Sequence, residues 1–225
     1  TSIGTASPSL GYFVIGTPGT ISGTFTVGPG GNFESLTNAT GFFDVVSAAT
    51  VTGNITANII NDISIESGSV PLSQWTESPA NSNYTVTIQS SAATQRVISN
   101  NISTPDGMIR LDGADRVTFN GGTGAQRFLL FRNFSGNSTL KLLNDATNNQ
   151  VHNCIIEGGI VVPAAYGTAS ATGNIHIGTA APSGTGNDNN SFTYCDIRDI
   201  TGQPYYYTPN NGIYANGTAG FLNDN

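Results

Sequence analysis

A short strand–turn–strand unit, repeated along the second half of the chain, is the feature that most constrains its fold. The clearest copy covers residues 109–120 and reads Ile-Arg-Leu-Asp-Gly-Ala-Asp-Arg-Val-Thr-Phe-Asn. Alternating apolar and polar residues at 109–111 and 117–119 predict two half-buried strands, and the Asp and Gly between them predict a tight turn. Because such a unit cannot bury its apolar face alone, its repetition predicts a stack.

Weaker copies of these strands continue to the end of the chain in three series. The first series, at spacings of 31, 35 and 38 residues, is 109–111, 140–142, 175–177 and 213–215. The second, at spacings of 34 and 41 residues, is 117–119, 151–154 and 192–195. The third is 129–131, 160–162 and 205–207. Three strands per repeat of this length predict a solenoid.

The low charge of the chain argues against several classes of function. Its 225 residues suit one β domain, and only 9% of them are charged, against roughly 25% in ordinary domains. The net charge of −7 disfavours nucleic-acid binding, because phosphate contacts need clustered cations and the seven Lys and Arg are scattered. No apolar run approaches the roughly 18 residues that span a bilayer, so membrane insertion is not expected.

The first half of the chain predicts an extension, a cap and irregular coils. Residues 1–31 are rich in Gly, Ser and Thr, with strand-like pieces at 12–15 and 21–27. Apolar residues then recur at helical spacing over 33–48, where Asn32 can cap an amphipathic helix that covers the first coil. We expect irregular coils over 51–108 and regular coils over 109–225, with the domain truncated or open at its C-terminal end.

The motifs of these coils resemble those of a known superfamily. The unit at 109–119, the stretch Asn-Asn-Gln-Val-His-Asn-Cys-Ile-Ile-Glu-Gly-Gly at 148–159 and Gly-Asn-Asp-Asn-Asn-Ser-Phe at 186–192 are similar to pectin-lyase-like surface or secreted proteins of Bacteroidetes-type bacteria. Residues 26–36 resemble the strand and helical cap that open those domains. The resemblance implies an all-β fold, a right-handed single-stranded parallel β-helix with an N-terminal helical cap. It specifies the activity poorly.

An outward-facing column is expected in the first series. Strands in a sheet lie about 4.8 Å apart, so the middle residues of successive strands would stand one above another. These residues are Arg110, Lys141, His176 and Tyr214. A basic and aromatic column predicts binding to an acidic cell-surface polysaccharide, with the Tyr ring stacked on a sugar. The alternative is that these are ordinary solvated positions of strands.

An acidic residue follows the first-series strand in each coil. These residues are Asp112, Asp145, Asp188 and Asp224. Carboxylates and Asn carbonyls are the hard oxygen ligands that Ca²⁺ takes, which makes calcium the one cofactor to consider. The alternative is structural, because Asp and Asn stabilise turns by bonding their own backbone and by tolerating positive φ.

The densest candidate for catalysis is Asp-Ile-Arg-Asp at 196–199. Asp196 and Arg198 would share a strand face, with Asp199 beside them, and two carboxylates at a suitable separation can hydrolyse a glycoside. Against this, Ile155 matches Asp196 in the preceding coil, so no neighbouring coil is expected to supply an acid at the equivalent place. The alternative is a surface ion pair or a turn.

Two further patterns bear on the stack. Cys154 and Cys195 occupy equivalent places in successive coils, and stacked free thiols are expected rather than a disulfide, because both Cβ atoms would point the same way. Thr-x-Thr pairs at 24–26, 50–52 and 85–87 are similar to ice-binding faces. They do not recur at the coil period, so no such face is predicted.

Three functional hypotheses follow from these patterns and the resemblance. The first is a non-catalytic structural or adhesive module, extracellular or on a bacterial cell surface. The second is a subunit of a head-to-tail filament, in which the partner of the chain is a second copy of itself. The third is a polysaccharide lyase or hydrolase, or a glycan-binding β-helix.

Overall fold

A computed structural model describes residues 19–159, 172–178, 184–202, 211–217 and 223. These residues contain one helix, α1 (Phe42–Ala48), and sixteen strands. The strands are β1 (Thr20–Val27), β2 (Thr50–Ile59), β3 (Leu72–Ser73), β4 (Thr76–Glu77), β5 (Val86–Ser90), β6 (Arg96–Asn100), β7 (Ile109–Asp112), β8 (Val117–Asn120), β9 (Leu129–Asn133), β10 (Leu140–Leu143), β11 (Gln150–His152), β12 (Cys154–Gly158), β13 (Ile175–Ile177), β14 (Ser191–Thr193), β15 (Asp196–Asp199) and β16 (Ile213–Ala215).

The strands form three parallel sheets. The first sheet has the order β1-β2-β5-β8-β11-β14, with β4 also paired to β2. The second has the order β6-β9-β12-β15, and the third β3-β7-β10-β13-β16. From β7 onward the chain visits the third, first and second sheets in turn, and we call one such passage a circuit. The prediction of an all-β fold with parallel strands is therefore confirmed.

The register of the third sheet agrees with the first predicted series. Ile109 pairs with Leu140, Leu140 with Ile175, and Ile175 with Ile213. The apolar residues of β7, β10 and β13 point inward and are buried, while the residues between them are half-buried. This alternation makes the apolar face the interior, where each fully buried Ile or Leu contributes roughly 1.5–3 kcal/mol.

The other two series were partly misaligned. Val151 pairs with Phe119 and not with Val117, so the predicted register of the second series is shifted by two residues between these two strands. The predicted strand at 160–162 lies outside the described residues, as does 205–207. The partner of β9 is instead β12, which begins at Cys154. The reason is a turn of a single residue, Asn153 with φ of 55°, which divides one apolar run into two strands of different sheets.

The predicted helix over 33–48 is largely wrong in extent, because α1 covers only its second half. Residues 34–41 form turns instead, with Thr40 at a φ of 62°. Gly41 is the residue on which the helix begins, and a Cβ there would lie 2.7 Å from the carbonyl oxygen of Asn38. Asn32 does not cap the helix; its side-chain oxygen accepts hydrogen bonds from the backbone N–H and hydroxyl of Thr26.

A buried carboxylate explains why the turns replace the first half of the helix. Glu66 is fully buried and accepts hydrogen bonds from the backbone N–H groups of Leu36 and Thr37 at 2.8 and 2.7 Å. The hydroxyl of Thr37 donates to the same carboxylate at 2.5 Å. Because Glu66 takes these donors, the turns around Leu36 are held against the loop between β2 and β3, where Glu66 lies.

Buried asparagines satisfy the backbone at the turns that lead into the first sheet. The side-chain oxygen of Asn149 accepts the N–H of Val117, and its NH₂ donates to the carbonyl of Ala114, both at 2.9 Å. One circuit later, Asn190 accepts from the backbone N–H and the NH₂ of Asn149 and donates to the carbonyl of Ala146. These amides join successive circuits where no strand pairing does.

Glu66 gives the fold a specific dependence on pH. Burial raises the pKa of Glu66 above the ordinary 4.5, although hydrogen bonds from Thr37 and Leu36 oppose the shift. Above pH 4.5 the folded chain then binds more protons than the unfolded chain, so the stability contributed by Glu66 falls as pH rises through the window up to its raised pKa.

The variant Glu66→Gln removes this titration and also sets an NH₂ against a backbone donor, at a cost of about 1–3 kcal/mol. We expect the free-energy difference between wild type and variant to shrink from pH 4.5 to pH 7. Urea denaturation at several pH values measures it. A difference that stays constant, or grows with pH, contradicts the role assigned to the buried carboxyl.

Candidate functional site

The second sheet carries a ladder of alternating charges on three adjacent strands. Glu157 of β12 pairs in register with Arg132 of β9 on one side and with Arg198 of β15 on the other. Its carboxylate oxygens lie 2.5 Å from Nε of Arg132 and 2.9 Å from Nε and Nη2 of Arg198. Asp196 extends the ladder, with its carboxylate 2.6 Å from Nη1 of Arg198.

The ladder holds the three strands β9, β12 and β15 together. The Glu157 side chain has no exposed surface, and hydrogen bonds to its carboxylate are the main reason that the pKa of Arg198 is raised above its ordinary value. The carboxylate of Glu157 accepts hydrogen bonds from the guanidinium groups of both Arg132 and Arg198. Both of its oxygens are also occupied, which leaves neither free to attack a sugar.

The predicted catalytic residues are only partly brought together. Asp196 and Arg198 share a face and form the expected ion pair. Asp199 is exposed and stands next to Arg198 in an extended strand, so its side chain points to the other face. The expected match of Ile155 with Asp196 is confirmed, so no acid stands at that place of the neighbouring strand, but Glu157, two residues further along, lies opposite Arg198. The equivalence of the two cysteines already implied this pairing, three residues further along each strand.

The predicted outward column is present in the third sheet. Arg110 pairs with Lys141, Lys141 with His176, and His176 with Tyr214. All four side chains are half-buried, and the His176 and Tyr214 rings meet edge to face with centroids 5.2 Å apart. The alignment is therefore confirmed, while binding to a polysaccharide stays a prediction.

The cations of this column are already engaged by the chain. Arg110 Nη1 lies 2.9 Å from the carboxylate of Asp106, and Lys141 Nζ donates to the carbonyl of Pro105 at 2.8 Å. Burial lowers the pKa of Lys141, and burial likewise lowers that of His176. The contacts of Arg110 with Asp106 and of Lys141 with Pro105 hold the loop at 104–107 over the sheet. An acidic ligand would therefore first have to displace that loop.

The aspartates predicted to bind calcium lie at turns, with Asp224 outside the described residues. Asp145, with φ of 68°, accepts the N–H of Gly186 at 2.9 Å, and Asp112 accepts from a side-chain amide of the next circuit at 2.6 Å. The residues flanking Asp188 include the buried Asn187. In the described ranges no three His, Cys, Asp or Glu side chains come together as a metal site. Calcium binding stays a prediction.

The two cysteines are free, as predicted. Cys195 immediately precedes β15 and Cys154 begins β12, so the two residues stand on neighbouring strands. Their Sγ atoms contact carbonyls of the first sheet, that of Phe119 for Cys154 and that of Val151 for Cys195. Burial raises the pKa of both thiols, which keeps them protonated and poorly reactive.

The outer surface of the first sheet is an uncharged polar face that the sequence reasoning missed. Four threonines stand in register on adjacent strands, where we had expected no recurrence of threonine. They are Thr24, Thr56, Thr87 and Thr118. A second column, two residues further along each strand, is Thr26, Asn58, Gln89, Asn120, His152 and Thr193. Only one of the two columns is built of threonine.

Comparisons with known proteins do not add a family or a homologue. No protein-family model, curated protein or solved structure matches this chain. The resemblance to pectin-lyase-like surface proteins therefore depends on the sequence motifs alone. Among the described residues, no helix has the length and apolar character needed to cross a membrane.

The charge ladder predicts an asymmetric response to mutation. Glu157→Gln leaves Arg132 and Arg198 without their buried carboxylate, so we expect a loss of about 3 kcal/mol in the free energy of unfolding. Asp196→Asn is the matched control, because that pair is 42% and 41% exposed and should contribute at most about 1 kcal/mol. Denaturation of both variants measures the two costs. Equal costs would show that Glu157 is not the centre of the ladder.

Proposed function

We propose that this chain is a right-handed parallel β-helix that serves as a non-catalytic structural or adhesive module, secreted or displayed by a bacterium. The regular succession of three parallel sheets supports the β-helix, because each circuit pairs only with its neighbours, as in a solenoid. The short helix α1 packs against β3 and, in this proposal, closes the N-terminal end of the β-helix.

The observation that carries the functional part is the uncharged face of the first sheet. It spans six strands, and its two outward columns contain no Asp, Glu, Lys or Arg. A continuous polar face without charge suits an extended contact with a polymer or with a neighbouring surface. Asp196 and Arg198, two of the three charged residues predicted for catalysis, are instead occupied within the ladder around Glu157, which supports a role without chemistry.

A head-to-tail filament is the second candidate, and the edge formed by β14, β15 and β16 favours it. Among the described strands, each of these three is paired on one side only. Inward-facing residues that are buried in earlier circuits are open here: Ile213 is 49% exposed, and Phe192 and Ile197 are partly buried. Such an edge invites pairing with another chain, and a contact that does not close on itself produces fibres. The strand-like apolar segment at 12–15, which is a candidate to cover such an edge of a neighbouring chain, lies outside the described residues.

Electron microscopy tests the shape and the assembly together. We expect negatively stained protein to show single short rods at low concentration. Rods that persist singly at high concentration support the module, whereas end-to-end fibres support the filament. In the second case, Ile213→Lys places a charge at the open edge and should abolish the fibres. Globular particles without an axis contradict the proposed β-helix.

Incubation with polysaccharides tests the absence of chemistry. Pectin, polygalacturonate and alginate are incubated with the purified chain, and reducing ends and unsaturated products are measured over time. We expect no product above a heat-denatured sample of the chain. Product release that is lost in Asp196→Asn would overturn the non-catalytic role and support the lyase or hydrolase instead.

A further inference from the structure

A cleft of about 570 Å³ opens at the corner between the first and second sheets. Its walls are the turn at 122–124 and the residues Gln150, His152, Asn153, Thr193 and Tyr194. This volume is within the range of small-ligand sites, roughly 300–1,000 Å³. The cleft is distinct from the column of the third sheet and from the ladder around Glu157.

Tyr194 is the unusual residue of the cleft. It is 76% exposed, and its φ of 54° is in the left-handed region, which is unfavourable for a residue with a bulky side chain. The two preceding circuits place Gly121 and Asn153 at the same turn, directly after the paired residues of the first sheet. Asn153 adopts the same left-handed conformation, with φ of 55°, which Asn tolerates and Tyr does not, so the fold alone gives no reason for an aromatic ring here.

One wall of the cleft is preformed. The NH₂ of Asn153 donates to the carbonyls of Gly124 and Gln126 at 2.7 and 3.1 Å, which fixes the turn at 122–124. Arg127 lies behind this wall, where its guanidinium donates to the same two carbonyls. No carboxylate, ammonium or guanidinium lines the cleft itself.

The chemistry of the lining selects a class of ligand. An exposed aromatic ring beside amide, imidazole and hydroxyl groups matches a sugar, which has an apolar C–H face and a rim of hydroxyls. A lining without Lys or Arg favours a neutral sugar, because a uronate would bring a carboxylate that no Lys or Arg side chain faces. The polar groups available for its hydroxyls are those of Gln150, His152 and Thr193.

A polar track continues from the cleft along the first sheet. His152 stands in register with Asn120, Asn120 with Gln89, and Gln89 with Asn58. At about 4.8 Å per strand these four residues span about 14 Å, which is longer than one sugar ring. The NH₂ of Gln89 donates to the side-chain oxygen of Asn58 at 3.1 Å, so the track is ordered before a ligand arrives.

We propose that the cleft and this track bind a neutral polysaccharide, with Tyr194 stacking on one sugar ring and His152 bonding its hydroxyls. The proposal deepens the adhesive role proposed above and names its ligand class. It differs from the column of Arg110 and Lys141, which was predicted to bind an acidic polymer.

The test uses affinity electrophoresis of the whole chain in gels that contain laminarin, xylan, galactomannan, polygalacturonate or alginate. We expect retardation by at least one of the three neutral polymers and by neither acidic polymer. Tyr194→Asn removes the ring and installs a residue suited to positive φ. It should weaken binding at least tenfold while the melting temperature stays equal or rises, a combination that a purely structural Tyr would not give.

Three further variants complete the test. Tyr194→Phe keeps the stacking ring and should keep binding, whereas His152→Ala should weaken it. Phe134→Ser removes another exposed aromatic, 41% exposed and outside the cleft, and should leave binding unchanged.

Retardation only by the acidic polymers, or undiminished binding by Tyr194→Asn, overturns the proposal. No retardation by any polymer also overturns it, while the separate tests of the rod by microscopy and of product release are unaffected by that result. Sugar released from a retarding neutral polymer would overturn the non-catalytic role and leave the binding site in place.

Discussion

Backbone polar groups buried at sharp turns are the constraint on which the rest of this structure depends. Parallel strands satisfy their own N–H and C=O groups, but each change of sheet breaks the ladder inside a closely packed chain. Asn149 and Asn190 restore the missing bonds with side-chain amides that also bond each other. Asparagine suits this task because it donates, accepts and tolerates positive φ. The abundance of Asn is thus a structural requirement of the turns.

Charge is rare in this chain, and much of it is used internally. Glu66 organises the N-terminal turns, Glu157 joins three strands of the second sheet, and Glu77 forms a third centre. Burial alone would raise the pKa of Glu77, but hydrogen bonds from Asn83, Trp75 and Arg116 bring it below its usual range. Each centre joins segments that are distant in sequence. Because an unpartnered buried charge is costly, these pairs specify which circuits lie side by side.

The sequence predicted the parallel all-β fold and the register of the third sheet, because apolar alternation there is regular and the turns contain Asp and Gly. It could not predict where β12 begins, because one apolar run continues from β11 of the first sheet into β12 of the second. Only the single turn residue Asn153 separates the two strands. The helix was overestimated because its period is real, but Glu66, some 30 residues away, takes the backbone donors. Glu157 was missed although the equivalence of the cysteines implied its position. The threonine column recurs at spacings of 32, 31 and 31 residues, but three of its members lie before residue 109, where the sequence predicted no regular coil.

The direction of strand pairing has a mechanical consequence. In all three sheets the backbone hydrogen bonds connect one circuit to the next and run across the strands. A tensile load applied across the circuits therefore acts along these bonds and tends to peel one circuit at a time. A load applied along the strands would instead shear many bonds together. A tether built from this chain should therefore yield in small, separate steps when pulled from its two ends, and it should resist far more strongly when loaded from the side.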